Sequence, residues 1–249
     1  MREGTFVLGS VHSQELPVFI SQRPAKTKAK RVFTLEEIPG VNRLVPFDKG
    51  YYTNVEQTLN CFYLANSTEN VQWFEDRITE ALDTRGQYAD FIPYYDENYI
   101  YDVIVINEPK FEGTRGTQLA VPFSFDLSIA PFKKNIRGKN PVEATKEFVL
   151  FNPENYPSDP YIKIEGSGNI TLYINDRSTV LENVSGVIEI DSDPDVMEVY
   201  RESNGMLLNE NKKMKSNQPF PFLDKGKNTI KWKGNVQKLT IEPRWQTKI

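Results

Sequence analysis

Alternation at period two constrains this chain more than any other feature. The runs "YIKIEG" over 161–166, "ITLYIN" over 170–175 and "VIEI" over 187–190 are short and β-branched, with apolar residues at every second place and Gly, Asn or Pro between them. A strand sends successive side chains to opposite faces, so these runs fit half-buried antiparallel strands. "YIYDVIVI" over 99–106 and "LAVPFSFDLSIAPF" over 119–132 read the same way. Pro122 pushes the last of these towards an edge or a bulge, because proline has no N–H to give a ladder. The "SGN" of Ser167, Gly168 and Asn169 reads as a hairpin turn between the first two runs.

One segment breaks the pattern. Over 69–84, Val71, Phe74, Ile78 and Leu82 recur at helical spacing, while Glu75, Asp76, Arg77, Thr79 and Glu80 occupy the other faces. This predicts a surface helix with one buried stripe and a packing role, capped by Ser67 or Thr68 and closed by Gly86. Between the strand-rich regions lies the polar stretch "KKNIRGKNPVEATKE" over 133–147, with Gly138 and Pro141, which reads as a linker. The expected organisation is a mainly β chain with one domain over 1–140, carrying the helix, and another over 141–249.

Composition then removes several function classes. With 39% apolar and 26% charged residues and a net charge of -4, the chain belongs with ordinary globular proteins and carries no polybasic field for nucleic acid or membrane. A single cysteine, Cys61, leaves no internal disulfide framework. With His12 the one histidine, zinc sites and histidine-based triads lack their ligands. No run approaches the ~20 apolar residues of a membrane helix, and the first residues lack a signal-type apolar core. The reading is of a soluble chain made in the cytoplasm, in which the sequons at Asn66, Asn169 and Asn183 are chance.

Patterns that could carry chemistry each meet an obstacle. In "DSDPDVMEVYRE", Asp191, Asp193, Asp195 and Glu202 fall at the first, third, fifth and twelfth places of a calcium loop. Val196 stands where the sharp turn needs glycine, Pro194 sits at the fourth place, and strands flank the segment. It reads as a polar bend in which Asp191 and Ser192 bond turn amides. The carboxylate pairs Glu36–Glu37 and Asp159 with Glu165 read as solvated surface charge. "EGTRGT" over 112–117, with Gly113 and Gly116, leads into a strand and reads as a hairpin loop rather than a phosphate cradle. In "RPAKTKAKR" over 23–31, an extended backbone shows Lys26, Lys28 and Lys30 on one side with no aromatic between them, a solvated or subunit-facing strand edge. The second basic stretch, "KKNIRGK" over 133–139, falls inside the linker. No catalytic, cofactor or metal site is assigned.

The chain ends "GKNTIKWKGNVQKLTIEPRWQTKI". Ile230 and Trp232 share one side of a strand, Lys231 and Lys233 the other; Gly234 and Asn235 read as a tight turn, after which Leu239 and Ile241 resume the alternation. Pro243 ends the ladder. The segment reads as a closing hairpin with Trp232 and Trp245 packed inside.

This ending resembles the carboxy-terminal signature of siphophage distal tail proteins, and Gly226, Asn228, Trp232, Gly234, Pro243, Arg244 and Trp245 carry the match. "FNPENYPSDPYIKIEGSGNITLYIN" over 151–175 resembles the opening of that family's galectin-like domain. "LENVSGVIEIDSDPDVMEVY" over 181–200 and "FPFLDKGKN" over 220–228 resemble later segments of it, which accounts for the calcium-like carboxylates without calcium. The helix over 69–84 and the strands after it sit where the family's first domain has its helix. The resemblance is specific over 148–245 and looser before it.

The resemblance implies an N-terminal β-sandwich with one α-helix plus a C-terminal galectin-like antiparallel β-sandwich, no enzymatic activity and no cofactor. It implies a homo-hexamer built through the N-terminal domains at the distal end of the phage tail in the virion, between the tail tube protein and a tail-associated adhesin or lysin protein. DNA would pass through the central channel without specific binding, and the second domain would serve receptor-binding or baseplate proteins, with no membrane involved. The second domain lacks the large insertion of long-armed members. Two other classes stay open from the residues: a carbohydrate-binding module, which needs an exposed face on Trp73, Trp232 or Trp245, and a wall-degrading hydrolase, which needs converging acids.

Overall fold

In the computed structural model, residues 1–113 and 119–249 are described; most of the loop expected over 112–117 lies outside them. The alternating runs become antiparallel strands, and the chain divides into two compact units, Met1–Lys133 with Lys248–Ile249, and Lys134–Thr247.

The first unit holds β1 (Phe6–Leu8), β2 (Val11–His12), β3 (Val18–Ile20), β4 (Arg31–Glu36), β5 (Val45–Tyr52), β6 (Val55–Leu64), α1 (Val71–Leu82), β7 (Ala89–Pro93), β8 (Tyr99–Val105), β9 (Lys110–Phe111) and most of β10 (Ala120–Asn135). Its main sheet runs β2-β1-β7-β8-β10-β6-β3, with β9 also on β10. The alternate residues Val121, Phe123, Phe125, Leu127 and Ile129 of β10 face one core with Leu59, Cys61 and Tyr63 of β6. Phe74, Ile78 and Leu82 of α1 are buried, and half-buried Val71 completes the stripe that the spacing predicted. Burying each such side chain is worth about 1.5–3 kcal/mol. The expected side-chain cap is absent at Ser67. A 3₁₀ turn over Thr68–Asn70 leads into the helix instead, and its Asn70 N–H donates to the Ser67 carbonyl.

Pro122 sits in an interior strand, against expectation. The β10–β6 register continues from Ala120–Leu64 to Ile129–Val55 straight through Pro122–Phe62. The Pro122 carbonyl accepts from Glu112 N–H, so the nitrogen that lacks a proton faces β9 as well. That neighbour has only two residues, and the missing donor costs one bond at its end.

Strands β4 and β5 form a sheet of their own, an arm carrying neighbouring apolar side chains that are exposed. Lys26, Lys28 and Lys30 are exposed on the approach to it, in a stretch that joins no strand while Ala29 is buried.

The second unit begins within the stretch read as a linker, which is ordered. It holds the end of β10, a 3₁₀ turn over Ile136–Lys139, β11 (Val142–Ala144), β12 (Phe148–Asn152), β13 (Tyr161–Ile174), β14 (Arg177–Asp191), β15 (Glu198–Ser203), β16 (Met206–Asn209), β17 (Gly226–Glu242) and the start of β18 (Gln246–Lys248). The sheet runs β11-β17-β13-β14-β15-β16, and β12 also pairs with β17. Its inner faces enclose one core, with Ile162, Ile164, Ile170, Leu172 and Ile174 from β13 and Ile230, Leu239 and Ile241 from β17.

Two expected hairpin turns are bulges inside continuous strands. Ser167, Gly168 and Asn169 lie within β13, and Gly234–Asn235 within β17; the ladder shifts register at that level on both sides of β13. Gly234 has φ +104°, and a Cβ there would run into the Asn169 carbonyl. Gly166 faces the Asn235 carbonyl as closely. Glycine thus lets the two backbones cross at a bend, and each strand continues on the far side of it.

Candidate functional site at the carboxy-terminal signature

The seven signature residues are spread along β17 and the turn after it, where they lock the second unit together. Gly226 opens the strand at φ +78°, opposite Asn152. Asn228 is fully buried and uses both ends of its amide. Its Nδ2 donates to the carbonyls of Asp224 (2.8 Å) and Gly226 (3.1 Å). Its Oδ1 accepts from Asp224 N–H (2.8 Å) and from Asn175 Nδ2 (3.2 Å). Asn175, at φ +55° in the two-residue β13–β14 turn, also donates to Asp224 Oδ2 (2.9 Å) and accepts from Thr229 N–H at 2.8 Å. Two turns distant in sequence are thereby stitched by side-chain amides, which can donate and accept at once.

Trp232 stands opposite Leu172 and is half-buried against the second core, while Trp245 is 6% exposed inside it. Neither indole presents the open face a sugar site needs. Trp73, by contrast, is 55% exposed on α1. Pro243 follows the last ladder residue, and its carbonyl accepts from Ser158 Oγ at 2.7 Å, a hydroxyl that is fully buried. Trp245 seats its backbone on Gly138, where a Cβ would collide with the Trp245 nitrogen.

Arg244 carries the electrostatics. Held at φ +51°, it donates from Nη1 and Nη2 to the two oxygens of Asp191 at 2.6 and 3.0 Å, with Glu242 at 3.5 Å and Asp193 at 3.9 Å. Burial pushes the Asp191 carboxyl up, yet Arg244 and the Asp193 amide outweigh it and hold the group below its usual range. Asp159 nearby goes the other way, raised by burial and by the charge of Asp193. The calcium-like segment is the polar bend that was expected: Asp193 N–H donates to Asp191 Oδ1, and Asp195 N–H to Asp193 Oδ1. Ser192 does not bond a turn amide with its side chain; its buried Oγ has no partner. Among the described residues no group of three or more His, Cys, Asp or Glu is arranged to hold a metal. Of the carboxylate pairs, Glu36 ends the exposed β4 with Glu37 after it, while Glu165 lies beside Lys238 at 4.0 Å and Asp159 beside Gln246 at 3.4 Å.

Asp191, Asn175, Ser158 and Gly138 complete the lock, and no motif pointed to them in this role. Each meets its signature partner across more than fifty residues, save through the chain's fold no signal links them.

No family model and no curated protein sequence matches the chain. Solved structures do match it along nearly its whole length. The Dit protein of phage SPP1, described as a paradigm of the hub adsorption apparatus in phages infecting Gram-positive hosts, is similar at TM-score 0.72 and 9% identity, with 98% of each chain covered. A chain of the phage P2 baseplate in its activated conformation with Ca gives TM-score 0.54 at 10% identity, again over 98% of each chain. The baseplate of phage p2 with Sr gives 0.52 at 10%, with the same coverage. The chain therefore has, over nearly all its length, the fold found in the SPP1 hub protein and in these phage baseplates.

Proposed function

We propose that the chain is a structural hub of a non-contractile phage tail, at the tail's distal end in the virion. Six copies form a ring through their first units. The ring joins the tail tube protein on one side to a tail-associated adhesin or lysin protein on the other, and leaves a channel through which DNA passes without specific binding. The second unit, a galectin-like sandwich in this reading, faces receptor-binding or baseplate proteins. Its task is to hold a shape rather than to turn over a substrate.

The observation that carries the reading is the extent of the match to the SPP1 Dit protein, which covers 98% of both chains. A match confined to one common β-domain would support nothing so specific. The burial of Trp245 and the half-burial of Trp232 weigh against the carbohydrate-binding alternative. Immunogold labelling of intact particles tests the assignment: antibody against the chain should decorate the tail tip, and gold confined to heads or absent from virions would contradict it.

A further inference from the structure

One outer face of the second unit carries lysines that nothing on the chain neutralises. In β17, Asn228 and Ile230 are buried and Trp232 packs on the core, so Lys227, Thr229, Lys231 and Lys233 stand on the outside. Directly opposed residues of an antiparallel pair share a face. The register therefore sets Phe151 beside Lys227 and Val149 beside Thr229 on one flank, with Tyr173 beside Lys231 and Thr171 beside Lys233 on the other. Beyond Tyr173 and Thr171, β14 adds Ser178 and Val180. Lys215 N–H donates to the Val180 carbonyl at 3.0 Å, next to the antiparallel bridge of Met214 with Leu181, which brings a fourth exposed lysine alongside.

The ammonium groups of Lys231 and Lys233 lie 5.6 and 5.7 Å from the centre of the Tyr173 ring. Among the described residues none of the four lysines is paired with a carboxylate, and the exposed acids Glu147 and Glu182 stand only at the margins. Past the bulge, the outward residues of the same sheet neutralise one another: Lys163 meets Glu189 at 3.5 Å, and Lys238 meets Glu143 at 2.7 Å and Glu165 at 4.0 Å. In a chain of net charge -4, the unpaired cations make a local positive field, bordered by Phe151 at 66% exposure and Val149 at 55%.

We infer that this face binds an anionic polysaccharide, one whose sugar rings carry carboxylate or phosphate. The lysines supply charge-assisted donors to the anionic groups, and Lys231 and Lys233, two places apart on one strand, repeat about every 7 Å along it. Tyr173 and Phe151 offer flat surfaces for the apolar faces of sugar rings. The hydroxyls of Thr171, Thr229 and Ser178 stand among the cations, where each can donate to and accept from a ring hydroxyl. A sheet face is flat, which suits an extended polymer better than a small molecule. A membrane surface would take a broader apolar face than Val149 and Phe151 provide, and single-stranded nucleic acid stacks on successive aromatics that this face lacks. The inference concerns the surface of one chain and stands apart from the ring reading.

Calorimetric titration of the full chain at low salt tests it, with alginate, a polymer of uronate rings, set against neutral dextran, polyglutamate, oligothymidylate and phosphatidylglycerol vesicles. Alginate should bind more tightly than each of the others, and its affinity should fall as salt rises. The double variant Lys231→Glu, Lys233→Glu changes two exposed sites, so it should keep the wild-type melting curve while alginate affinity drops at least ~10-fold. Phe151→Ser should weaken alginate roughly threefold and leave any polyglutamate binding unchanged, since only the sugar rings use that side chain. No binding of alginate, or equal binding by the double variant, overturns the proposal. Tighter binding of polyglutamate, oligothymidylate or vesicles overturns it as well, by giving the face to an acidic protein, a nucleic acid or a membrane.

Discussion

Replacing Asn228 with alanine probes the lock at its most buried point. The substitution removes four hydrogen bonds of 2.8–3.2 Å and strands the Asp224 N–H and the Asp224 and Gly226 carbonyls, while the Asn175 amide keeps Asp224 Oδ2. At about 1 kcal/mol for each bond, with part regained as water enters the space, the loss should be about 3 kcal/mol. For a unit of this size that lowers its melting temperature by about 12 °C. Asn228→Asp should cost more, because it sets a carboxylate against two carbonyl oxygens in place of an NH₂ donor. Urea unfolding followed by tryptophan emission suits the measurement, since Trp232 and Trp245 both belong to the second unit while Trp73 is exposed on the first. A double cycle with Asn175→Ala should give a coupling of at least ~0.5 kcal/mol. A loss below ~1 kcal/mol for Asn228→Ala, or one confined to the first unit's transition, would refute the reasoning.

Other perturbations separate the remaining forces. Gly234→Ala, which adds a Cβ against the Asn169 carbonyl at φ +104°, should destabilise the second unit by about 2 kcal/mol more than Gly168→Ala. At Gly168, φ +79° opens onto free space, so the Cβ meets the left-handed backbone cost of ~1–2 kcal/mol and nothing else; equal costs at the two sites would show that the close approach is unimportant. Arg244→Ala should cost about 2 kcal/mol near neutral pH by leaving a part-buried carboxylate unpaired. Because the folded Asp191 titrates below its unfolded value of ~3.9, the pair's contribution is complete above that pH and fades as pH falls through the folded value. Chemical denaturation at a series of pH values should show the gap between wild type and Arg244→Ala narrowing below about pH 4, and a gap that stayed constant or widened would contradict the account.

How legible this was in the sequence depended on the range of the deciding contact. Period-two runs reported their own strands, and the spacing of Phe74, Ile78 and Leu82 reported the buried helix stripe, because both signals are local. Gly234–Asn235 and Ser167–Asn169 misled for the opposite reason. Glycine beside asparagine signals positive φ, which suits a turn and a bulge equally, and the choice between them was made by the pairing of β13 with β17 some seventy residues away. Pro122 is tolerated in an interior strand because a proline's cost depends on which neighbour its nitrogen faces, and that neighbour is set by the fold. At the signature, the sequence marked Asn228 and Arg244 but did not link them to their partners Asn175 and Asp191, since a hydrogen-bond partner is fixed by the fold and not by spacing. The arm left no clear trace: Phe33 with Leu35 and Val45 with Phe47 alternate at period two, but over runs too short to stand out from the polar residues between them.

Electron cryomicroscopy of the purified full-length chain tests the central claim most directly. The account predicts closed rings of six with an open channel and the first units innermost. Monomers at every concentration, or a closed dimer with no channel, would contradict it.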